Sequence, residues 1–502
     1  MSADMSTLTH PQTQFAAPAI RSTAQPRQAS HLLFLISAGC AVIAAAVAHQ
    51  YAYDNLYLPV GWTLFVTGSF FQYGVAIALM VLLLRSGKTM WAFFVQSQLI
   101  VPMTVFIFQC WLEIPFSNWR EKAISHDEAC RAIIVVNGYL AWMNIISLWA
   151  LSGWTLAPQV PLRNYDVSSW GVKILWAMVA VCFLIGLAKL GKSRTEFLEE
   201  SGTGDRFLIR FMIVLCCFVF TVSMRARNAS LRLLPPATLF LAGVMCILGF
   251  RYLLFILFLS ATVIWLLTRP PNAKMLAGLI AAAPLAYFLL LISAYTRQCG
   301  MNPFEALSAI GSGKVPLDDI FIYAGSNEQC TFYSFISIQD RHFFSFGEYY
   351  GISALRLLPQ GVYLSLSEHT QLSLSKYIMH EFAPPVFIAN DLTLGGYFFT
   401  EAWVNFGKFG PFFMLVVSYA ACEGMEYLRR RFAIAQALYA IVAASMFVFV
   451  TYGFENFMKP MMLFGVFTIA FSPFVRFDSR SKASGDSASS AAARTGELSV
   501  TP

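Results

Sequence analysis

The stretch GGYFFTEAWVNFGKFGPFF, residues 395–413, runs into a clean apolar segment, FFMLVVSYAACEGM. It joins a membrane-length apolar run to polar groups placed just ahead of it: Glu401, Asn405, Lys408 and the glycines Gly407 and Gly410. If residues 397–406 are helical, Tyr397, Glu401 and Asn405 fall at i, i+4 and i+8 on one face. That face is expected to line a water-facing mouth, with Phe398, Ala402 and Phe406 turned towards lipid or protein. Gly407 and Gly410 permit a bend or a close backbone approach before the span proper. The other reading of Glu401 is an interfacial cap near a helix N-terminus.

The rest of the chain sets the context. Of 502 residues, 57% are apolar and only 12% charged, whereas a soluble protein carries about 25% charged residues. Apolar runs near the length needed for a hydrocarbon core recur throughout. The fold class is therefore an all-α polytopic membrane protein; the alternating strands of a transmembrane barrel are not seen. The net charge of +7 sits largely in short connections and in the tail, which is the bias of cytoplasmic loops and not a nucleic-acid footprint.

Spans are expected at 32–50, 60–84, 90–111, 132–152, 170–190, 208–224, 234–250, 252–268, 276–296, 408–427, 433–453 and 459–475. About twelve transmembrane helices put both termini on one side. The cluster Arg429-Arg430-Arg431 and the basic tail make that side the cytoplasm. Residues 1–30 read as a disordered cytoplasmic arm before an uncleaved first span, 31–296 as spans one to nine, and 297–391 as a large external loop. Residues 392–476 carry the opening motif and the last three spans, and 477–502 form a disordered tail. One connection disagrees: residues 191–206 fall outside in this count yet carry Lys192, Arg194 and Arg206. Either a span is miscounted there or the loop is an exception.

The external loop is expected to hold short amphipathic or partly inserted helices, in FEALSAIGSG, TFYSFISI and EYYGISALRLLPQGVYLSL. Non-helical backbone near a bilayer is tolerated only against protein or a water-filled cavity, so such a segment suits an active-site roof. Cys130, Cys299 and Cys330 fall on the external side, where a Cys299–Cys330 bridge could persist; the alternative is that all are reduced. No internal repeat is evident, which disfavours transporters built of paired halves.

Ionisable groups at outer span ends are costly and mark function. Arg251 in LGFRYLLFILF, Arg297 in ISAYTRQCG, Arg341 in IQDRHFFSFG and Arg356 in GISALRLLPQ all fall on the external side of the expected topology. A guanidinium presents a fixed fork of donors that matches phosphate oxygens. The competing reading of any one of them is a snorkelling anchor. From Arg297 to Asp391 there are five Lys and Arg against nine Asp and Glu, so anion binding has to come from particular arginines and not from a general basic funnel. Candidate bases are Glu401, Asp340, His342, His369, His380, Glu381 and the Asp318-Asp319 pair. For each lone histidine the competing reading is packing, and for the aspartate pair a surface turn. No metal motif, phosphate-cradling glycine loop or nucleophile elbow is found, and no cofactor is expected. The triplet Asn228-Ala229-Ser230 matches a glycosylation acceptor but carries no meaning on three residues alone.

In order and context, GGYFFTEAWVNFGKFGPFF resembles a motif of the Wzy-type oligosaccharide repeat-unit polymerases of bacterial O-antigen and exopolysaccharide assembly. FGEYYGISALRLLPQGVY is similar to that family's glycine-aromatic segment running into a proline. GFRYLLFILFL is similar to its Arg-leading span, and AYTR to the Arg that opens its large loop. Where the family commonly has Arg after the proline, this chain has Gln360, with Arg356 one turn earlier. The detailed resemblance covers about residues 245–475.

The resemblance implies an inner-membrane glycosyltransferase acting on undecaprenyl-pyrophosphate-linked repeat units with its active site facing the periplasm. Arg251, Arg297, Arg341 and Arg356 would hold the pyrophosphates, and Glu401, with His380 in reserve, would serve as the base or orient it. Asn405 and Tyr397 would meet the sugars, with no metal required. A chain-length regulator and a flippase are the implied protein partners. An O-antigen ligase, a lipid-linked oligosaccharide flippase or other transporter, and a structural scaffold are the alternatives.

Overall fold

The computed structural model describes residues 24–113, 125–152, 164–189, 203–247, 251–268, 308–314, 345–355, 397–446 and 453–477, together with Val448 and positions 332, 334–336 and 338–339. Helices occupy the apolar runs: α1 (Ala24–Asp54), α2 (Pro59–Arg85), α3 (Thr89–Val105), α4 (His126–Ser152), α5 (Ser169–Lys189), α6 (Thr203–Arg225), α7 (Leu234–Ile247) and α8 (Arg251–Thr268). After the short α9 (Glu348–Leu355) come α10 (Phe398–Phe406), α11 (Gly410–Arg431), α12 (Ala433–Ala444) and α13 (Phe454–Phe471).

Among the described residues, five helical segments, Leu33–Asp54, Pro59–Arg85, Thr89–Trp111, His126–Ser152 and Phe457–Phe474, are long and apolar enough to cross a membrane. Two expectations change. α1 reaches back to Ala24, into the arm read as disordered. The run 433–453 is not one helix, since α12 stops at Ala444 with Ser445 as its C-cap. The expected span 276–296 and the Cys299–Cys330 pair lie outside the described residues.

Two apolar cores form. The first gathers α2, α3 and α4 around Trp91, Phe94, Phe106 and Leu140, and takes in Tyr397, Phe398 and Phe399. The second gathers α5, α6, α7 and α8 around Phe218, Phe220, Leu241 and Leu257. Lipid is as apolar as leucine, so hydrogen bonds between helices help to specify which faces meet. Gln72 Nε2 donates to the Val42 carbonyl at 3.1 Å, Asn144 Nδ2 to Gln72 Oε1 at 3.0 Å, and Asn137 Nδ2 to Ser69 Oγ at 2.9 Å.

Contacts sort the connections into two ends. At one end β1 (Tyr165–Val167) pairs antiparallel with β2 (Val475–Phe477), with Asp166 opposite Arg476. This small ribbon was not expected in an all-α chain. It forms because β-branched and aromatic residues in two connections meet beyond the helix ends. Asn228 completes its edge: Oδ1 accepts the Val167 N–H and Nδ2 donates to the Val167 carbonyl, each at 2.8 Å.

The same end holds a buried polar network that ties the two cores together. Glu426 Oε2 accepts Nε and Nη2 of Arg429 at 3.1 and 3.0 Å. Its Oε1 accepts the Met90 N–H at 3.1 Å and the Tyr439 hydroxyl. Arg225 donates Nη1 to the Gln436 carbonyl at 3.2 Å and Nη2 to Gln436 Oε1 at 3.4 Å. Arg429, read as part of a cytoplasmic basic cluster, and Arg225 are among the largest fully buried side chains. α5 starts at the ribbon and α6 ends beside it. The far ends of the two helices, Lys189 and Thr203, therefore lie at the opposite end of the bundle, and the residues between them, with Lys192 and Arg194, lie outside the described residues.

Candidate functional site

The other end of the bundle is organised by α10. Its period places Tyr397, Glu401 and Asn405 on one face as expected, but that face is inside the protein, with 0%, 2% and 0% of each residue exposed. The expected water-facing mouth is corrected to a buried polar seam. Phe398 and Ala402 are also buried, while Phe406 is half-buried against Tyr350 and Phe413, at ring-centroid distances of 6.1 and 5.5 Å. The reason is the segment 345–350, which lies across α10.

A helix leaves its last carbonyls without partners, and here the loop supplies them. Ser345 N–H donates to the Val404 carbonyl at 2.9 Å and Gly347 N–H to the Asn405 carbonyl at 3.0 Å. The Asn405 side chain works in the same seam. Its Oδ1 accepts the Ser345 hydroxyl at 3.2 Å and the Tyr350 N–H at 3.3 Å, while Nδ2 donates to the Glu401 carbonyl at 2.8 Å.

The chain then breaks and restarts. Gly407 has φ 68° and ψ −167°, a region essentially closed to residues with a Cβ. A Cβ on Gly410 would sit 2.0 Å from the Ala402 carbonyl oxygen, so only glycine lets α11 start against α10. α4 pins this break: Tyr139 Oη donates to the Lys408 carbonyl at 3.0 Å and Trp142 Nε1 to the Phe412 carbonyl at 3.3 Å.

Glu401 Oε2 accepts the N–H of Phe454 at 3.0 Å. Phe454 is the first residue of α13, so the carboxylate stands at a helix N-terminus, where the aligned peptide dipoles favour negative charge. The cap reading of Glu401 is realised, though on a different helix from its own. Tyr350 packs edge-on to Phe454 with ring centroids 5.6 Å apart. Burial, reinforced by the charge on Glu401, holds the Tyr350 phenol well above its ordinary range, so it remains a neutral O–H donor. That hydroxyl and the hydroxyl of Tyr397 have no hydrogen-bond partner among the described residues.

Within TFYSFISI, the described residues Phe332, Ser334 and Phe335 are buried against α10. Phe332 and Phe335 lie 6.3 and 6.1 Å from the Tyr397 ring, and Ser334 Oγ is 3.1 Å from Thr400 Oγ1. Arg251 opens α8 at this same end, because α7 departs from the ribbon end and α8 returns towards it. Arg297, Arg341, Arg356 and His380 lie outside the described residues. Among the described residues no three His, Cys, Asp or Glu side chains gather as a metal site.

Reading the sequence missed Ser345, Tyr350 and Phe454 as partners of the Glu401 face. The GEYYG motif pointed to the right segment, but only the fold pairs it with α10. Comparison with protein-family models, curated proteins and solved structures returns no match.

Proposed function

We propose that this protein polymerises polyprenyl-pyrophosphate-linked oligosaccharide repeat units, with its site at the end of the bundle that carries Glu401. One observation carries the reading. The two segments that resemble the polymerase family, FGEYYGISAL and TEAWVNFGKFG, lie far apart in the chain yet form one buried seam through Asn405, Ser345, Gly347 and Tyr350. A carboxylate that accepts the Phe454 N–H and a phenol that stays protonated stand close together there, an acceptor and a donor in a site of low dielectric.

In this reading a sugar hydroxyl of one lipid-linked unit attacks the anomeric carbon that bears pyrophosphate on the growing chain. The C–O bond to pyrophosphate breaks as the new glycosidic bond forms, and lipid pyrophosphate leaves. Glu401 takes the hydroxyl proton or orients the group that does, with His380 the second candidate. Arg251, Arg297, Arg341 and Arg356 stabilise charge on the departing pyrophosphate. Asn405 acts by holding the 345–350 segment in place, and Tyr397 lies behind it. The site faces the periplasm from the inner membrane, with a flippase supplying units and a chain-length regulator as neighbour.

The test is the size distribution of lipid-linked glycans in membranes lacking the protein or carrying Glu401→Gln. Single repeat units accumulating on the lipid, with polymer lost and the variant still inserted, support the reading. Polymer retained on the carrier lipid but absent from its final acceptor would establish a ligase instead. Units trapped on the cytoplasmic face would establish a flippase. Full activity of Arg297→Lys, which keeps the charge but loses the fork, would leave that arginine an anchor.

A further inference from the structure

α3 does not end as an α-helix. It widens into a π-helix from Phe106 to Trp111, a rare geometry that occurs mostly as single turns and is frequent at functional sites. The widened turn buries Cys110 against the start of α4, where Cys130 lies one turn beyond His126. Both cysteines are buried in the first core.

The His126 ring spans the pair. Its Nε2 is 3.0 Å from the Cys110 carbonyl oxygen and 3.8 Å from Cys130 Sγ, and its Nδ1 is 4.0 Å from the same sulfur. Cys110 and Cys130 are 0% and 1% exposed, whereas His126 is exposed. Both thiols are free in this structure. Cys182 and Cys216 share the second core, but they lie mid-helix, away from either end of the bundle.

We propose that Cys110, Cys130 and His126 form a thiol–disulfide site, in which the two cysteines are joined as an intramolecular disulfide by a disulfide-bearing oxidant at the Glu401 end. His126 accepts the proton of the Cys130 thiol, the one whose sulfur its ring touches. The resulting thiolate attacks one sulfur of the oxidant's disulfide, breaking that bond and releasing the other sulfur as a thiolate. Cys110 then loses its proton and attacks the Cys130 sulfur of the mixed disulfide, and the second oxidant sulfur leaves. Two electrons and two protons pass to the oxidant, which becomes a dithiol.

The crosslink ties the end of the α3 π-helix to α4. That helix also carries Tyr139 and Trp142, which hold the break between α10 and α11. The bridge therefore stiffens the scaffold beneath Glu401. The inference takes from the functional reading only that this end faces an oxidising compartment.

The test uses the full-length protein in membranes, denatured in one alkylating reagent without reductant, then reduced, labelled with a second reagent and mapped by mass. Cys110 and Cys130 are expected to carry the second label, and the unreduced digest to contain their linked peptides. Cys182, Cys216 and Cys217 carry the first label and serve as the thiol standard. In Cys110→Ser, Cys130 is expected to shift to the first label. First-reagent labelling of both Cys110 and Cys130 in the unmodified protein overturns the inference, as does a link from Cys130 to any other cysteine. Either result is independent of the polymer assay: bridged peptides alongside a fully active Glu401→Gln variant would sink the polymerase roles and leave the crosslink standing.

Discussion

Glu401 Oε2 accepts the backbone N–H of Phe454 at 3.0 Å, so one carboxylate joins α10 to the start of α13. This bond separates two roles that the same side chain could have. Glutamine keeps an acceptor oxygen for Phe454 but gives up the charge, at a cost of up to about 2 kcal/mol at a sheltered helix N-terminus. That loss is too small to unfold a domain whose stability is about 5–15 kcal/mol. Glu401→Gln is therefore expected to insert and purify normally while making no polymer. Normal chain lengths in this variant would reduce Glu401 to a cap.

Asn405 serves the site differently, because its amide is committed to the protein on both sides. Asn405→Ala leaves the Tyr350 N–H and the Ser345 hydroxyl without their acceptor, and a buried unsatisfied group costs about 1–3 kcal/mol. The segment 345–350 is then held to α10 mainly by the two backbone bonds to Val404 and Asn405. Limited proteolysis of membranes is expected to cut between residues 340 and 356 faster in this variant than in the parent. Unchanged cleavage would mean that the amide is not what holds the segment.

Much of this fold was legible in the chain. Runs such as 60–84 and 90–111 are apolar at membrane length, and α2, α3 and the π-helix occupy them within a few residues. The i, i+4, i+8 spacing also put Tyr397, Glu401 and Asn405 on one face correctly. What that face would meet was not legible. The partners Tyr350 and Phe454 are brought in by long-range packing, which no local spacing encodes, so a seam sealed by protein looked like a mouth open to water. Arg225 and Arg429 were not legible as buried residues for a related reason. An arginine at a span end reads as an anchor unless its acceptors are known, and Gln436 and Glu426 lie on neighbouring turns and helices.

Phe346 has φ 51° and is 81% exposed. A bulky side chain in the left-handed region costs about 1–2 kcal/mol, and burial of the ring does not repay it here. The conformation is imposed by the bonds of Ser345 and Gly347, on either side, to the last carbonyls of α10. Phe346→Gly relieves the clash and is expected to raise the thermal midpoint in detergent. Glycine also gains freedom in the unfolded chain, which offsets part of the benefit. Phe346→Ala, which keeps a Cβ in the same region, should not show the gain. A lower midpoint for both variants than for the parent would mean that the ring contributes contacts worth more than the strain.

Glu426 and Arg429 form a buried pair at the opposite end of the bundle. Glu426 accepts four donors, from Arg429 twice, Met90 and Tyr439. Removing the carboxylate alone leaves the Arg429 guanidinium, 1% exposed, without its counter-charge. Breaking such a pair costs about 3–5 kcal/mol, whereas replacing both members with apolar residues of similar size is often neutral or better. Glu426→Leu is therefore expected to lower the yield of folded protein sharply. Glu426→Leu combined with Arg429→Met should recover much of it, although Tyr439 and the Met90 N–H still lose an acceptor. The measurement is the monodisperse fraction on size-exclusion chromatography after extraction of equal amounts of membrane. If the double variant is as poor as the single one, the hydrogen bonds to Met90 and Tyr439, and not the uncompensated charge, dominate the cost. Glu426→Gln would then recover more protein than the double variant, because its amide oxygen can still accept from both.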